Sequence, residues 1–301
     1  MSGWEPPAQG WPNYFKVESV AGCNLWCSFC GIHATGWPRN TVVGEMSLPL
    51  AKAIALHIRG MRSHPRIDLQ IRGEPLMHSD LPGLIRTFRY FIPRASLMVA
   101  TNGLLLTRDL GVALFKAGLT TLLVELYRPI REQVRALNLP AEEHDYPGDF
   151  SPWLYHTGRH IVYMPSIGEG SAGGLAQTRR LTNHAGNAVK GSGPLAAPLD
   201  SPCAHPFREL SIFYDGLVPL CCNDWREQAI IGRFPDDGAL ATIWRSACYS
   251  HARAFLRVGK RASLAPCDVC DVKTTRNGLL PRASTPDALA LATCGLAAKE
   301  V

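Results

Sequence analysis

The 301-residue sequence lacks any run approaching about eighteen consecutive apolar residues, so it offers no membrane-spanning segment. It also lacks a basic block. Its 31 Lys and Arg against 25 Asp and Glu give a net charge of +6. These charges are scattered, whereas a nucleic-acid-binding surface would show a clustered stripe. Residues 1–12 have neither a charged segment nor an apolar core of the secretory kind, so a reducing cytoplasm is the expected compartment. No internal repeat is visible. A 46% hydrophobic and 19% charged composition is ordinary for a soluble globular enzyme with one large core, or one core and a small appendage.

The most informative absence concerns the cysteines. Cys23, Cys27 and Cys30 fall within eight residues, and the next cysteine is Cys203. Thiolates favour iron–sulfur clusters, zinc or Cu(I). A zinc site would need a matching CxxC or histidine pair nearby, and only His33 is at hand. Three cysteines can hold three irons of a four-iron cluster and leave the fourth open to an outside ligand. Ten cysteines in a chain without a leader point to metal or redox chemistry, not to disulfides.

The patterning alternates strands with helices. Strand-like alternation covers Tyr14 to Val20, which sets the cysteine motif in the loop after a first strand. Helical spacing covers Leu48–Met61, with Ser47 as N-cap, then Leu81–Phe91 and Thr107–Ala117. Strands are expected at Arg66–Arg72, Ser96–Ala100, Thr121–Leu126 and Ile161–Met164. Repeated βα units imply a largely parallel sheet. In a full or partial barrel, the loops after the strands gather on one face. The cysteine motif, Gly73-Glu74-Pro75, Thr101-Asn102-Gly103 and the end of the 121–126 strand would meet there. Periodicity fails between Pro140 and His160, which reads as a solvated loop or a substrate lid. Residues 168–198 read as a linker. Beyond Asp200, Asp215-Gly216 signals a hairpin between Leu210–Tyr214 and Leu217–Leu220. Residues 243–248 suggest a helix, and 276–301 a small helical tail.

With these motifs in order, the first 165 residues resemble the radical S-adenosylmethionine (SAM) superfamily. The resemblance rests on Cys23-x3-Cys27-x2-Cys30 with the aromatic Phe29, on Gly73-Glu74-Pro75 and on Thr101-Asn102-Gly103. It implies an α/β fold: a partial (β/α)6 TIM-like barrel with a small C-terminal α+β iron–sulfur domain. The corresponding boundaries are 1–200 for the barrel, 201–275 for the auxiliary domain and 276–301 for a tail. By the same resemblance, Cys23, Cys27 and Cys30 hold a [4Fe–4S] cluster whose open iron takes SAM. Gly73 and Glu74 would bind the methionine amino group, Phe29 would lie near the adenine and Asn102 near the cofactor. Where many relatives carry a serine, this chain has Glu125. That carboxylate at a barrel mouth needs a partner: Arg128 or another base, or a cationic substrate.

The C-terminal region resembles the short SPASM, or twitch, domain. Cys203, Cys221, Cys267 and Cys270 would hold a second [4Fe–4S] cluster; Cys222 is the alternative to Cys221, which the glycine spacing favours. Zinc is the competing occupant of such a set. Cys222, Cys248 and Cys294 are then left over, with Cys294 read as incidental. Among twitch members, the sequence is closest in pattern to enzymes of aminoglycoside biosynthesis. The expected activity is epimerisation at one ring carbon, of the neomycin C to neomycin B type, with Cys248 returning a hydrogen atom and Glu125 in the catalytic set. An aminocyclitol dehydrogenase and a peptide-modifying enzyme are the alternatives. The expected partners are a polycationic aminoglycoside, held by Glu125 and the acidic 142–149 stretch, and a flavodoxin- or ferredoxin-type reductant, with no nucleic acid and no membrane.

Overall fold

The structure is a computed structural model. It describes residues 10–12, 14–27, 29–62, 64–126, 130–145, 158–165, 182–188, 195–272, 294 and 296. Two compact units emerge from its contacts. One collects the described residues of spans 15–25 and 38–180; the other collects those of 1–14, 26–37 and 181–301.

The first unit contains β1 (Tyr14–Val17), β2 (Val20–Ala21), β3 (Gly44–Glu45), α1 (Leu48–Met61), β4 (Arg66–Asp68), α2 (Leu81–Phe91), β5 (Ser96–Thr101), α3 (Arg108–Ala117), β6 (Thr121–Leu126), α4 (Arg131–Ala136), β7 (Glu142–Asp145) and β8 (His160–Pro165). Its sheet runs in the order β7-β8-β6-β5-β4-β1. β4 with β5, β5 with β6, β6 with β8 and β7 with β8 are all parallel. Helices α1, α2 and α3 start where a side chain accepts the first free amide: Ser47 from Leu50, Asp80 from Gly83 and Thr107 from Leu110. Each buries one apolar stripe, such as Ala51, Ile54, Ala55, Ile58 and Met61 in α1. Among the described residues, no helix is long and apolar enough to cross a membrane.

Two expectations are corrected here. The strand predicted over Arg66–Arg72 ends at Asp68. Only Leu69 continues the ladder, through its N–H to the Met98 carbonyl, before the chain turns into Gly73-Glu74. The stretch predicted as a loop from Pro140 contains the edge strand β7, paired to β8. Residues 146–157 of that stretch lie outside the described residues, as does Arg128.

Parallel register sets side chains in rows on one face of the sheet. Asp68, Met98, Thr121, His160 and Glu142 make one row, and Ala100, Leu123, Val162 and His144 the next. Glu125 and Met164 follow at the strand ends. Met98, Leu123 and Val162 form an apolar cluster on this face with Ala100 and Met164 packed against it. Tyr163 points the other way, under Arg131 and Arg135 of α4, whose guanidinium carbons lie 4.7 and 5.7 Å from its ring centre. Burial and the nearby Glu143 push the Tyr163 hydroxyl up to about 12.

The second unit holds α5 (His205–Arg208), β9 (Glu209–Ile212), β10 (Leu217–Pro219), β11 (Ile230–Arg233), α6 (Leu240–Trp244) and α7 (Ala247–Arg257). The Asp215-Gly216 turn forms, with Gly216 N–H bonded to the Phe213 carbonyl and Gly216 at φ +89°. A Cβ there would meet the Phe234 carbonyl oxygen at 2.2 Å, so glycine is required. The antiparallel ladder of β10 is made with β11. The helix expected over 243–248 is interrupted: α6 ends at Trp244, and Ser246 caps a new helix by accepting from Tyr249 N–H. Of the 276–301 tail, only Cys294 and Leu296 are described.

Candidate functional site

In the first unit, the loop after β1 and β2 is fastened to the loop after β4. Arg72 donates two hydrogen bonds to Glu18, at 2.7 and 2.8 Å, with both side chains almost wholly buried. Removing one member of such a pair strands a charge and costs about 3–5 kcal/mol. Ser19 Oγ donates to the Leu69 carbonyl at 2.7 Å, and Glu74 N–H donates to the Gly22 carbonyl at 2.9 Å. Gly73 lies so close that a Cβ would stand 2.2 Å from the Val20 carbonyl oxygen. The backbone of Gly73-Glu74 is therefore held against the stretch leading into Cys23.

Glu74 also reaches the loop after β5. Its Oε1 accepts from Thr101 Oγ1 at 2.6 Å and Leu76 N–H at 3.0 Å; its Oε2 accepts from Asn102 N–H at 2.9 Å. Burial raises the carboxyl above its ordinary value of 4.5, and these three donors pull the other way without reversing it. Asn102 Nδ2 then donates to Asn24 Oδ1 at 2.8 Å, beside the Cys23 sulfur, which accepts from Leu25 N–H at 3.3 Å. Glu74, Thr101, Asn102, Asn24 and Cys23 are thus one connected network. Thr101 and Asn24 were not singled out from the sequence as network members, although Thr101 belongs to the TNG tripeptide. Glu125 lies on the inner face at the strand end, as its position after Leu123 dictates.

Cys23 belongs to the first unit, and Cys27 and Cys30 to the second. The latter two are joined by a turn, Cys30 N–H to the Cys27 carbonyl at 2.9 Å, and all three residues are reduced thiols. A short 3-10 turn, Gly31–Ala34, follows. Gly31 packs on Trp225: a Cβ at Gly31 would lie 2.8 Å from its ring and 3.1 Å from Asn187 Cβ. Phe29 is half-buried.

In the second unit, Cys203, Cys221, Cys267 and Cys270 line one cavity together with His205, Asp224 and Arg261; Cys222 is not among its lining residues. Burial pushes the Cys270 thiol up to about 11 and lifts Cys267 well above its usual range. A hydrogen bond with Cys222, and then burial, does the same for Cys221. Loading a metal group here would displace those protons. Burial opposes charge on His205, but the Glu209 carboxylate 3.3 Å away prevails and raises it to about 10. Arg261, 1% exposed, donates to the carbonyls of Ser201, Pro202 and Val272. Four soft donors with two cations in one buried cavity fit an anionic thiolate cluster.

The segment 182–188, from the stretch read as a linker, is an ordered turn. Asn183 Nδ2 donates to the Val269 carbonyl, between Cys267 and Cys270, and Asn187 Nδ2 donates to the Asn223 carbonyl. Within the turn, Asn183 Oδ1 accepts from Gly186 N–H and the His184 carbonyl accepts from Asn187 N–H. Residues 166–181 and 189–194 lie outside the described residues.

Cys248 is found in a bonded state that the sequence reading did not anticipate. It lies in the first turn of α7 and forms a disulfide with Cys294 across 46 residues. As found, its sulfur carries no hydrogen to return, and Cys294 is its covalent partner, not an incidental residue.

Residues 203–271 match the SPASM family, an iron–sulfur cluster-binding domain. The chain is 21% identical over 256 residues to the S-adenosyl-L-methionine-dependent 2-deoxy-scyllo-inosamine dehydrogenase of Niallia circulans, covering 85% of this chain and 91% of that protein. It is 30% identical over 127 residues to the GTP 3',8-cyclase of Stenotrophomonas maltophilia, covering 41% and 36% of the two. Its fold is that of BtrN solved in complex with AdoMet and 2-DOIA: TM-score 0.68, 20% identity, covering 89% and 96% of the chains. An open conformation of BtrN gives a TM-score of 0.59 at 20% identity, covering 87% and 93%.

Proposed function

We propose that this chain, a radical SAM superfamily protein with a SPASM-type domain, oxidises a secondary alcohol of an amino-bearing carbocycle or sugar to a ketone. The observation that carries this reading is the alignment along 85% of the chain with an aminocyclitol dehydrogenase. The Cys248–Cys294 bond favours the same outcome, because return of hydrogen from Cys248 needs an S–H.

Cys23, Cys27 and Cys30 would hold the SAM-binding cluster, and Cys203, Cys221, Cys267 and Cys270 a second one. When bound, these groups supply a 5′-deoxyadenosyl radical that takes one hydrogen atom from an unactivated carbon, and an acceptor for the second electron of the oxidation. The chain's residues orient SAM and substrate. Gly73 and Glu74 would bind the methionine amino group and Phe29 would lie by the adenine, while Asn102 holds Asn24 beside Cys23. Glu125, on the inner face at the strand end, receives either the hydroxyl proton or a ring ammonium. A flavodoxin- or ferredoxin-type protein delivers the initiating electron.

Epimerisation is the second reading. It is favoured by one observation: Cys248 precedes Tyr249, whose single hydroxyl hydrogen is within reach of the carbonyls of Glu209 and of Leu220, the residue before Cys221. Reduction of the disulfide would restore the S–H. The two readings separate in deuterated buffer with SAM, reductant, and either 2-deoxy-scyllo-inosamine or neomycin C. Dehydrogenation gives a carbonyl product, no solvent deuterium at the oxidised carbon and the same yield from Cys248→Ala. An inverted product carrying one deuterium, lost in Cys248→Ala while SAM cleavage continues, would overturn it in favour of epimerisation.

A further inference from the structure

Glu142, His144 and His160 converge on the inner face of the barrel sheet, at its β7 edge. Register sets Glu142 opposite His160, and His144 opposite Val162. Alternation along the strands therefore turns residues 142, 144 and 160 to one side. The other side of β7 is already used: Glu143 pairs with Arg135 and Asp145 with Arg131, both on α4. A four-residue strand with no apolar residue thus carries two different polar arrangements, one on each face.

We propose that Glu142, His144 and His160 bind one divalent transition-metal ion of the zinc class. His144 Nε2 lies 3.1 Å from His160 Nδ1, and Glu142 Oε2 lies 3.9 Å from each. A tetrahedral ion with bonds of about 2.0–2.1 Å to nitrogen spaces two ligand atoms by about 3.3–3.4 Å. The imidazoles need to part by only a few tenths of an ångström, and the carboxylate to close by about half of one. Glu142 has room to do so, its side chain being 78% exposed, while His160 is fixed at 7%. Gly158 abuts the far side of the His160 ring, where a Cβ would stand 2.8 Å from Nε2. The Nδ1 of His160 is thereby the nitrogen turned toward His144 and Glu142.

Two imidazoles and a carboxylate select zinc, cobalt or nickel over magnesium and calcium, which take oxygen ligands. Three protein ligands leave one position for water or an added ligand. The site contains no thiol. It lies on the row of Thr121, four residues before Glu125 on β6, or about 13 Å along the strand at about 3.3 Å per residue. Its ligands come from both strands flanking residues 146–159, so the ion clips the two ends of that connection.

The test uses full-length protein loaded anaerobically with iron and sulfide, so that the cysteines are occupied before other metals are added. Zinc is titrated calorimetrically and cobalt by absorbance. The expected result is one further equivalent per chain. Cobalt should give visible d–d bands without the intense near-ultraviolet charge transfer of thiolate ligation. Affinity should fall roughly tenfold or more in both His144→Ala and Glu142→Gln. Zinc should raise the melting temperature of the native chain more than that of either variant. Glu142→Gln changes an exposed side chain and leaves folding intact. No further equivalent, a thiolate-type cobalt spectrum, or unchanged affinity in both variants would overturn the proposal.

Discussion

Glu74 carries opposing demands on a single side chain. Both carboxylate oxygens are engaged inside the protein, yet burial still holds the group above its ordinary pKa of 4.5. A raised carboxyl pKa means that the folded state binds the proton more tightly than the unfolded chain. Its contribution to stability is therefore fully present below the unfolded value and is lost as pH rises through the folded one. Urea unfolding of cluster-free Glu74→Gln against the native chain checks this. The variant keeps Leu76 N–H and Thr101 Oγ1 as donors to one oxygen and loses the bond from Asn102. Its stability relative to native is expected to improve steadily as pH rises above 4.5. A relative loss with rising pH would mean that the three donors outweigh burial. SAM binding by the variant, read by equilibrium dialysis, is expected to fall at every pH. The identity of Glu74 was legible from the tripeptide at a strand end. Its bonds to Thr101 and Asn102 were not, because they join loops 27 and 28 residues apart.

Among the elements, those with one dominant physical cause were readable. α1 and α2 and strand β6 fall on the bounds expected from periodicity and capping. β7 was not readable, because Glu142-Glu143-His144-Asp145 has no apolar alternation. Its pairing comes from β8, and its side chains are satisfied by α4 on one face and by histidines on the other. The break between α6 and α7 was missed because Ser246 was read as interior when it is a cap. At the same scale, the adjacent cysteines differ in placement. Only Cys221 of the 221–222 pair lines the cavity, and Asn223 N–H donates to its sulfur at 3.4 Å. Cys221→Ala is expected to lose about half of the reconstituted iron and sulfide, while Cys222→Ala keeps nearly all of it. Equal losses would show that the cluster can move to the neighbouring thiol.

Across the whole molecule, the order of motifs made the α/β class legible from the first cysteines to the last strand, and BtrN shares the fold along 89% of the chain. The bond between Cys248 and Cys294 was not legible. Nothing in a sequence separation of 46 residues distinguishes a bonded pair from two solitary thiols.

The turn at 182–188 touches both cysteine-bearing stretches of the second unit. Asn183 grips the chain between Cys267 and Cys270, Asn187 grips the residue after Cys222, and Asn187 also packs where Gly31 follows Cys30. Both stretches thus share one small scaffold. Asn187→Ala ligates nothing, yet it is expected to lower iron incorporation at both sites together, measured by Mössbauer spectroscopy after stepwise reconstitution. Loss at one site alone would show that the two mature independently. A joint loss would make this short asparagine-bearing turn an assembly jig for the two cysteine sites.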